Sequence, residues 1–274
     1  MPAYPLAGRT MVISGASRGI GLAIALSAAA RGANIVLLAK TAQPHPKLPG
    51  TVHTAVAEIE AAGGKAVAVV GDVRNEADTQ RAAQTAVEHF GGIDICVNNA
   101  SAIATEPTGQ LPVKRFDLMQ EINVRGTFLL TQACLPHLRE SGESHVLTIS
   151  PPLNLSPRWL GAHPAYTQSK YAMTLMALGW ATEFADWAIG VNCLWPQTYI
   201  ATSAVANMPD GSELLNSARD PRIMGDAAAE ILSRPAAHTT GNCYIDAQVL
   251  IESGVRDLSE YGGGTRPIPD LFLD

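Results

Sequence analysis

Along the chain, short unbroken apolar runs alternate with longer stretches of helical periodicity. Arg9 to Ser14 is apolar and β-prone and stops at Gly15. From Gly19 the spacing turns helical, through Ile20, Ile24 and Leu26 to Arg31 and Gly32, and a second apolar run, Asn34 to Leu38, follows at once. Strand, turn, helix, strand is a βαβ unit. The alternation continues with a strand over Ala66 to Val70, a helix over Ala77 to Phe90 and a strand over Ile93 to Val97. A long helix near Arg115 to Leu138, a strand over His145 to Ser150, a helix carrying Tyr166 and a strand over Gly190 to Leu194 complete it. The strands are continuous Val/Ile/Leu runs, as expected of parallel strands covered on both faces. The pattern predicts one α/β domain over residues 1–274, a doubly wound parallel sheet with helices on both faces. A mobile tail is expected from about 257, where Gly262-Gly263-Gly264 falls.

Composition narrows the partners. The 274 residues are 47% hydrophobic, enough for a substantial core, and carry a net charge of −6. An acidic balance speaks against a broad nucleic-acid surface, which needs a basic face. No run of eighteen apolar residues suggests a membrane span. Cys96, Cys134, Cys193 and Cys243 are far apart and read as reduced core residues. No secretory signal is visible at the start, and Phe272-Leu273-Asp274 is not a peroxisomal address, so a cytoplasmic location is expected.

Two stretches carry the chemistry. Tyr166 and Lys170 are four apart, on one face of a helix. A phenol titrates near pH ~10, and a neighbouring ammonium is expected to lower that value so that the pair exchanges a proton at working pH. Alone, such a pair is in the large majority of proteins an amphipathic surface contact. The second stretch, Ser14-Gly15-Ala16-Ser17-Arg18-Gly19-Ile20-Gly21, lies where strand one meets helix one. Glycines there allow a tight turn, and the helix N-terminus offers free N–H groups to a pyrophosphate. A dinucleotide domain preferring NAD usually carries Asp or Glu at the end of strand two. Leu38-Ala39-Lys40-Thr41 offers a cation instead, and Arg18 adds another, so the expected cofactor is NADP(H). In the proline-rich loop 41–49, His45 and Lys47 either reach the 2′-phosphate or belong to an inert surface loop.

In this order and spacing, the Gly15/Gly19/Gly21 turn, Asp72-Val73, Asn98-Asn99-Ala100, Asn123, and Tyr166 with Lys170 resemble the short-chain dehydrogenase/reductase family, from about Leu6 to Ala247. The resemblance implies a Rossmann-type fold, an oxidoreductase acting on CH–OH groups, and a homodimer or homotetramer formed through the two long helices. The stretches Ala39 to Lys47, Ile149 to Leu155 and Pro269 to Asp274 resemble one group within that family, which implies that this chain is the group's catalytic domain alone. Asp72 would bond the adenine amine beside Val73, and Asn98, Asn99 and Ala100 would border ribose and pyrophosphate. Asn123 would hold a water in a proton relay to Lys170, and Lys170 would bond the nicotinamide ribose. Tyr166 would be the general acid in reduction and the general base in oxidation.

Some positions depart from the family's pattern. The family usually has a serine about thirteen residues before the tyrosine, where this chain has Leu153. Ser150 is the favoured stand-in, with Asn154, Ser156 or no hydroxyl donor as alternatives. Pro196-Gln197 replaces the usual Pro-Gly, with Thr198 or Thr202 expected at the nicotinamide amide or the diphosphate, and Ile245-Asp246-Ala247-Gln248 replaces the usual closing motif. Trp159, Leu160, Trp195 and the segment from Ile200 to Met208 could line an apolar pocket for a small alcohol or carbonyl compound. An NADPH-binding sensor with little turnover is the alternative, and a hydratase on the same fold a weaker one.

Overall fold

The computed structural model describes residues 5–44, 49–208, 210–264 and 266–274. Seven parallel strands form one sheet in the order β3-β2-β1-β4-β5-β6-β7. They are β1 Thr10–Ser14, β2 Asn34–Ala39, β3 Lys65–Val70, β4 Ile95–Asn98, β5 His145–Ile149, β6 Gly190–Trp195 and β7 Cys243–Ile245. Helices α1 Gly19–Ala30, α2 Val52–Ala61, α3 Glu76–Phe90, α4 Val113–Met119 and α5 Gly126–Leu138 come first. They are followed by α6 Pro157–Ala162, α7 Pro164–Glu183, α8 Ser203–Ala206, α9 Gly211–Ser217, α10 Arg222–Leu232 and α11 Asp246–Glu252.

Unbroken apolar strands demand cover on both faces, and they receive it. Ile24, Ile59, Ile223, Ile231 and Val249 bring α1, α2, α10 and α11 onto one face. Ala82, Leu130 and Ala177 bring α3, α5 and α7 onto the other. The strand order reverses between β1 and β4, so the loops leaving their carboxyl ends diverge and open a crevice there.

Three features go beyond the expectations. The long helix around Arg115 to Leu138 is present, but Gln120–Arg125 between α4 and α5 winds as a π-helix and carries Asn123 inward. A seventh strand, only three residues long, follows α10. The tail, expected to be mobile from about 257, is anchored at two places: Tyr261, Leu271 and Phe272 are buried, the last at 1% exposure, while most of the described residues between them are exposed or half-buried. Phe272 joins Trp159, Tyr166, Tyr171 and Trp195 in a third apolar cluster.

Candidate active site

A cavity of about 410 Å³ opens at the crevice, with the glycine turn at one end and Tyr166 and Lys170 at the other. Gly15 has φ +69°, and a Cβ there would lie 2.8 Å from the Ala100 Cα. A Cβ on Gly21 would lie 2.5 Å from Asn99 Nδ2 and 2.8 Å from the Gly15 carbonyl. Both glycines are therefore required by the close approach of the β4 loop. Asn99 Nδ2 donates to the Ser14 and Gly15 carbonyls at 2.9 and 3.1 Å, while Ser14 Oγ accepts from the Asn99 and Ala100 N–H groups. Asn99 thus fastens the turn in shape. Helix α1 has no side-chain cap and no acid in its first turn, and Gly19, Ile20 and Gly21 line the cavity. Its free N–H groups form a seat for an anion.

Ser17, Arg18, Lys40, Asp72, Val73 and Ala100 continue that wall. Arg18 Nε donates to the Pro49 carbonyl at 2.6 Å and Nη2 to Gly50 at 2.7 Å, so the guanidinium pins the end of the proline-rich loop. Lys40 is exposed at the rim. Arg74 grips both oxygens of Asp72, at 2.8 to 3.1 Å, and holds its carboxyl below the usual carboxylate range, with a smaller contribution from Lys40. His45 and Lys47 lie outside the described residues.

At the other end Tyr166 and Lys170 are both buried on α7. Lys170 Nζ donates to the Ile149 carbonyl at 2.6 Å and lies 5.2 Å from the centre of the Trp195 ring. Burial pushes the ammonium down to about 7. The phenol of Tyr166 is pushed up, first by burial and then by the nearby Asp270 and Tyr199. The lowering expected from Lys170 is therefore not found: in a dry pocket, desolvation weakens the cation and penalises the phenolate together.

Several expected site residues turn elsewhere. Ser150 is fully buried, accepts from Thr174 Oγ1 at 3.0 Å and is not in the cavity wall. Asn154 turns its amide to the Phe272 carbonyl and Asp274, and neither it nor Ser156 lines the cavity. Asn123 spends its whole amide on structure: Oδ1 accepts from the Ala102 N–H, and Nδ2 donates to the Ala102 carbonyl and Ser169 Oγ. That bridge ties the segment after β4 to α7. Asn98 bonds Thr131 and Thr148 in the interior. Pro196 and Thr202 line the cavity, whereas Thr198 is buried against Pro269 outside it. Asp246 holds the segment after β6, its Oδ1 accepting from the Gln197 and Ala247 N–H groups.

Arg74, Tyr199, Asp270 and Leu271 belong to the site and were not foreseen. The one signal for the last two was the apolar trio Leu271-Phe272-Leu273 in an otherwise polar tail.

A doubly wound sheet with a glycine turn at its switch point, and a Tyr–Lys helix facing that turn across one cavity, has the layout of a dinucleotide-binding domain. The chain belongs to the short chain dehydrogenase family, whose model matches residues 9–212. It is 53% identical over 98% of its length to hydroxysteroid dehydrogenase-like protein 2 of Danio rerio, of which it spans 65%. Among solved structures it resembles a short chain dehydrogenase of Mycobacterium thermoresistibile, at 51% identity, TM-score 0.92, and 98% and 96% coverage of the two chains. A protein of Xanthomonas campestris assigned as a dehydrogenase matches with the same TM-score at 48% identity, covering 98% of each chain. The family is one of oxidoreductases that work with a nicotinamide cofactor.

Proposed function

We propose that this chain is an NADP(H)-dependent oxidoreductase interconverting an alcohol of apolar skeleton and its ketone or aldehyde. The observation that carries the reading is the Tyr166–Lys170 turn at one end of a cavity whose other end is the glycine turn. The residues present fit the cofactor: the uncapped N-terminus of α1 suits the pyrophosphate, and Asp72 with Val73 suits the adenine. Lys40 suits a 2′-phosphate, and no carboxylate stands at the end of β2 to bond a free 2′-hydroxyl. When bound, the nicotinamide supplies or removes the hydride.

Tyr166 supplies the proton. A phenol held above its ordinary range keeps that proton until an alkoxide develops beside it, which suits the acid of a reduction. Lys170, anchored on Ile149, is placed to bond the nicotinamide ribose and to offset charge on the phenolate. Asn123 acts by position, locking α7 to the β4 loop. Ile103, Ile149, Trp195 and Met208 make the substrate side largely apolar. Tyr166→Phe should reduce turnover by roughly 10²–10⁴-fold while leaving NADPH affinity nearly unchanged. Unchanged turnover would overturn the reading. The displacement of Ser150 favours one alternative, an NADPH-binding sensor with little turnover, for which the parent itself would reduce no carbonyl compound.

The proposed assembly is a homodimer or homotetramer, supported by Phe128 on α5 and Leu175 on α7, which are 45% and 57% exposed. The proposed location is cytoplasmic; among the described residues no helix is long and apolar enough to cross a membrane.

A further inference from the structure

The last residues of the chain form a strap across the substrate end of the cavity. Thr198 and Pro269 make an antiparallel bridge, and the Tyr199 N–H donates to the Ile268 carbonyl at 3.1 Å. The Asp270 N–H donates to the Gln197 carbonyl at 3.1 Å, and Trp195 Nε1 donates to the Leu271 carbonyl at 2.9 Å. Beyond them the Phe272 ring is held among Trp159, Tyr166, Tyr171 and Trp195, with centroids 5.3 to 6.2 Å away. These contacts fix Asp270 in the cavity wall beside Tyr166, Lys170 and Tyr199.

The carboxyl group placed there is short of partners. Among the described residues its one hydrogen bond comes from the Leu271 N–H to Oδ1, at 2.6 Å. Lys170, the cation of this end, donates to the Ile149 carbonyl, and no ion pair joins it to Asp270 among the described residues. The other titratable groups facing Asp270 are Tyr166 and Tyr199 and, from the start of α11, Asp246. Asp246 Oδ1 is already bonded to the segment after β6, while its buried Oδ2 has no partner among the described residues and does not line the cavity. Ile149, Trp195 and Leu271 make the neighbouring wall apolar. Asp270 is half-buried, so its other oxygen opens to the cavity, and among the described residues no protein group donates to it; a ligand that fills this end must supply the donor or leave that oxygen unpaired.

We propose that Asp270 is a specificity-determining residue that accepts a hydrogen bond from a second hydroxyl of the substrate, so that the site selects diols and hydroxy ketones over simple alcohols and ketones of the same skeleton. The proposal rests on the oxidoreductase reading and narrows its substrate class. Tyr166 serves the reacting oxygen, and Asp270 holds the other. A site built to bond a hydroxyl discriminates strongly against the analogue lacking it, because its own polar group is then buried unpaired. One carboxyl oxygen remains an acceptor whether or not the group is ionised, so the preference should persist across neutral pH.

Calorimetric titration of cyclohexanol and of 1,2- and 1,3-cyclohexanediol into the protein, with and without NADPH, tests this directly. Rates with NADP⁺ are recorded alongside. At least one diol should bind about tenfold or more tightly than cyclohexanol. Asp270→Leu should abolish that preference, and Asp270→Asn, which keeps an acceptor, should retain part of it. Unchanged NADPH affinity in both variants controls for folding. No diol preference in the parent, or an equal preference in Asp270→Leu, overturns the proposal, and turnover of the alcohols in that event leaves the oxidoreductase reading standing. A preference that depends on Asp270, with no alcohol turned over, supports the binding role and overturns the oxidoreductase reading instead.

Discussion

The ring of Phe272 packs against that of Tyr166, with 6.2 Å between centroids and 30° between planes. Helix α7 and the tail thus share one apolar cluster, and the packing that positions the phenol depends on the residues around 272. Phe272→Ala should cost about 3–5 kcal/mol, as large-to-small changes at buried aromatics do. For a chain of this size that corresponds to a Tm lower by roughly 6–15 °C. Scanning calorimetry checks it, and a shift below about 2 °C would show that the strap lies outside the cooperative core.

Asp270 and Lys170 give stability an unusual dependence on pH. Burial pushes Asp270 up to about 7 from its ordinary 3.8, so the folded protein binds a proton that the unfolded chain has released. The stability this gives is fully present below 3.8 and is lost as pH rises through about 7. Lys170 is pushed down from 10.5 to about 7, so its contribution is present above 10.5 and is lost as pH falls through about 7. Together they place a dip near neutrality. In Asp270→Asn the acidic side of the dip should disappear, and the Tm of the variant relative to the parent should climb between pH 4 and 7. A difference that stays flat with pH would contradict the burial of this carboxyl.

At the nucleotide end, Gly21 is the most constrained position. A Cβ there meets Asn99 Nδ2 at 2.5 Å and the Gly15 carbonyl at 2.8 Å, so Gly21→Ala must push the β4 loop off the turn. Overpacking of this kind costs about 1–3 kcal/mol. Nucleotide affinity should fall with stability, since the same loop closes the cavity. Gly63→Ala serves as the control: it carries the burden of φ +85° but meets nothing within 4 Å, so it should lose stability while keeping affinity.

Lys40 stands at the cavity rim as a cation with no carboxylate competing for the 2′ position. Removing one charge-assisted bond of ~1.5–3 kcal/mol, Lys40→Ala should weaken NADPH roughly ten- to a hundredfold and leave NADH nearly untouched. Equal losses for both nucleotides would show that Lys40 acts on the turn and not on the phosphate.

The sheet was legible because its strands are unbroken Val/Ile/Leu runs separated by helical spacing, a pattern few other arrangements accommodate. The glycine turn and the Tyr166–Lys170 face were legible because their spacing is local. What escaped depends on contacts made at long range. The orientation of Ser150 is set by Thr174 on α7, and that of Asn123 by a π turn and by Ser169. The direction in which Tyr166 shifts is set by burial and by Asp270, far along the chain. The strap itself was hidden because Gly262-Gly263-Gly264 and the prolines beside it look like a loose end, while Leu271 and Phe272 are too short a run to predict an element. Strand β7, at three residues, falls below the same threshold.

The most direct measurement is a fluorescence titration of the purified protein with NADPH and with NADH. Binding of NADPH in the micromolar range, at least tenfold tighter than NADH, is the predicted result; it would support the anion seat of α1 and the Lys40 assignment together. Failure of both nucleotides to bind at sub-millimolar concentrations would contradict the assignment of the cavity to a nicotinamide nucleotide, and with it the proposed chemistry at Tyr166.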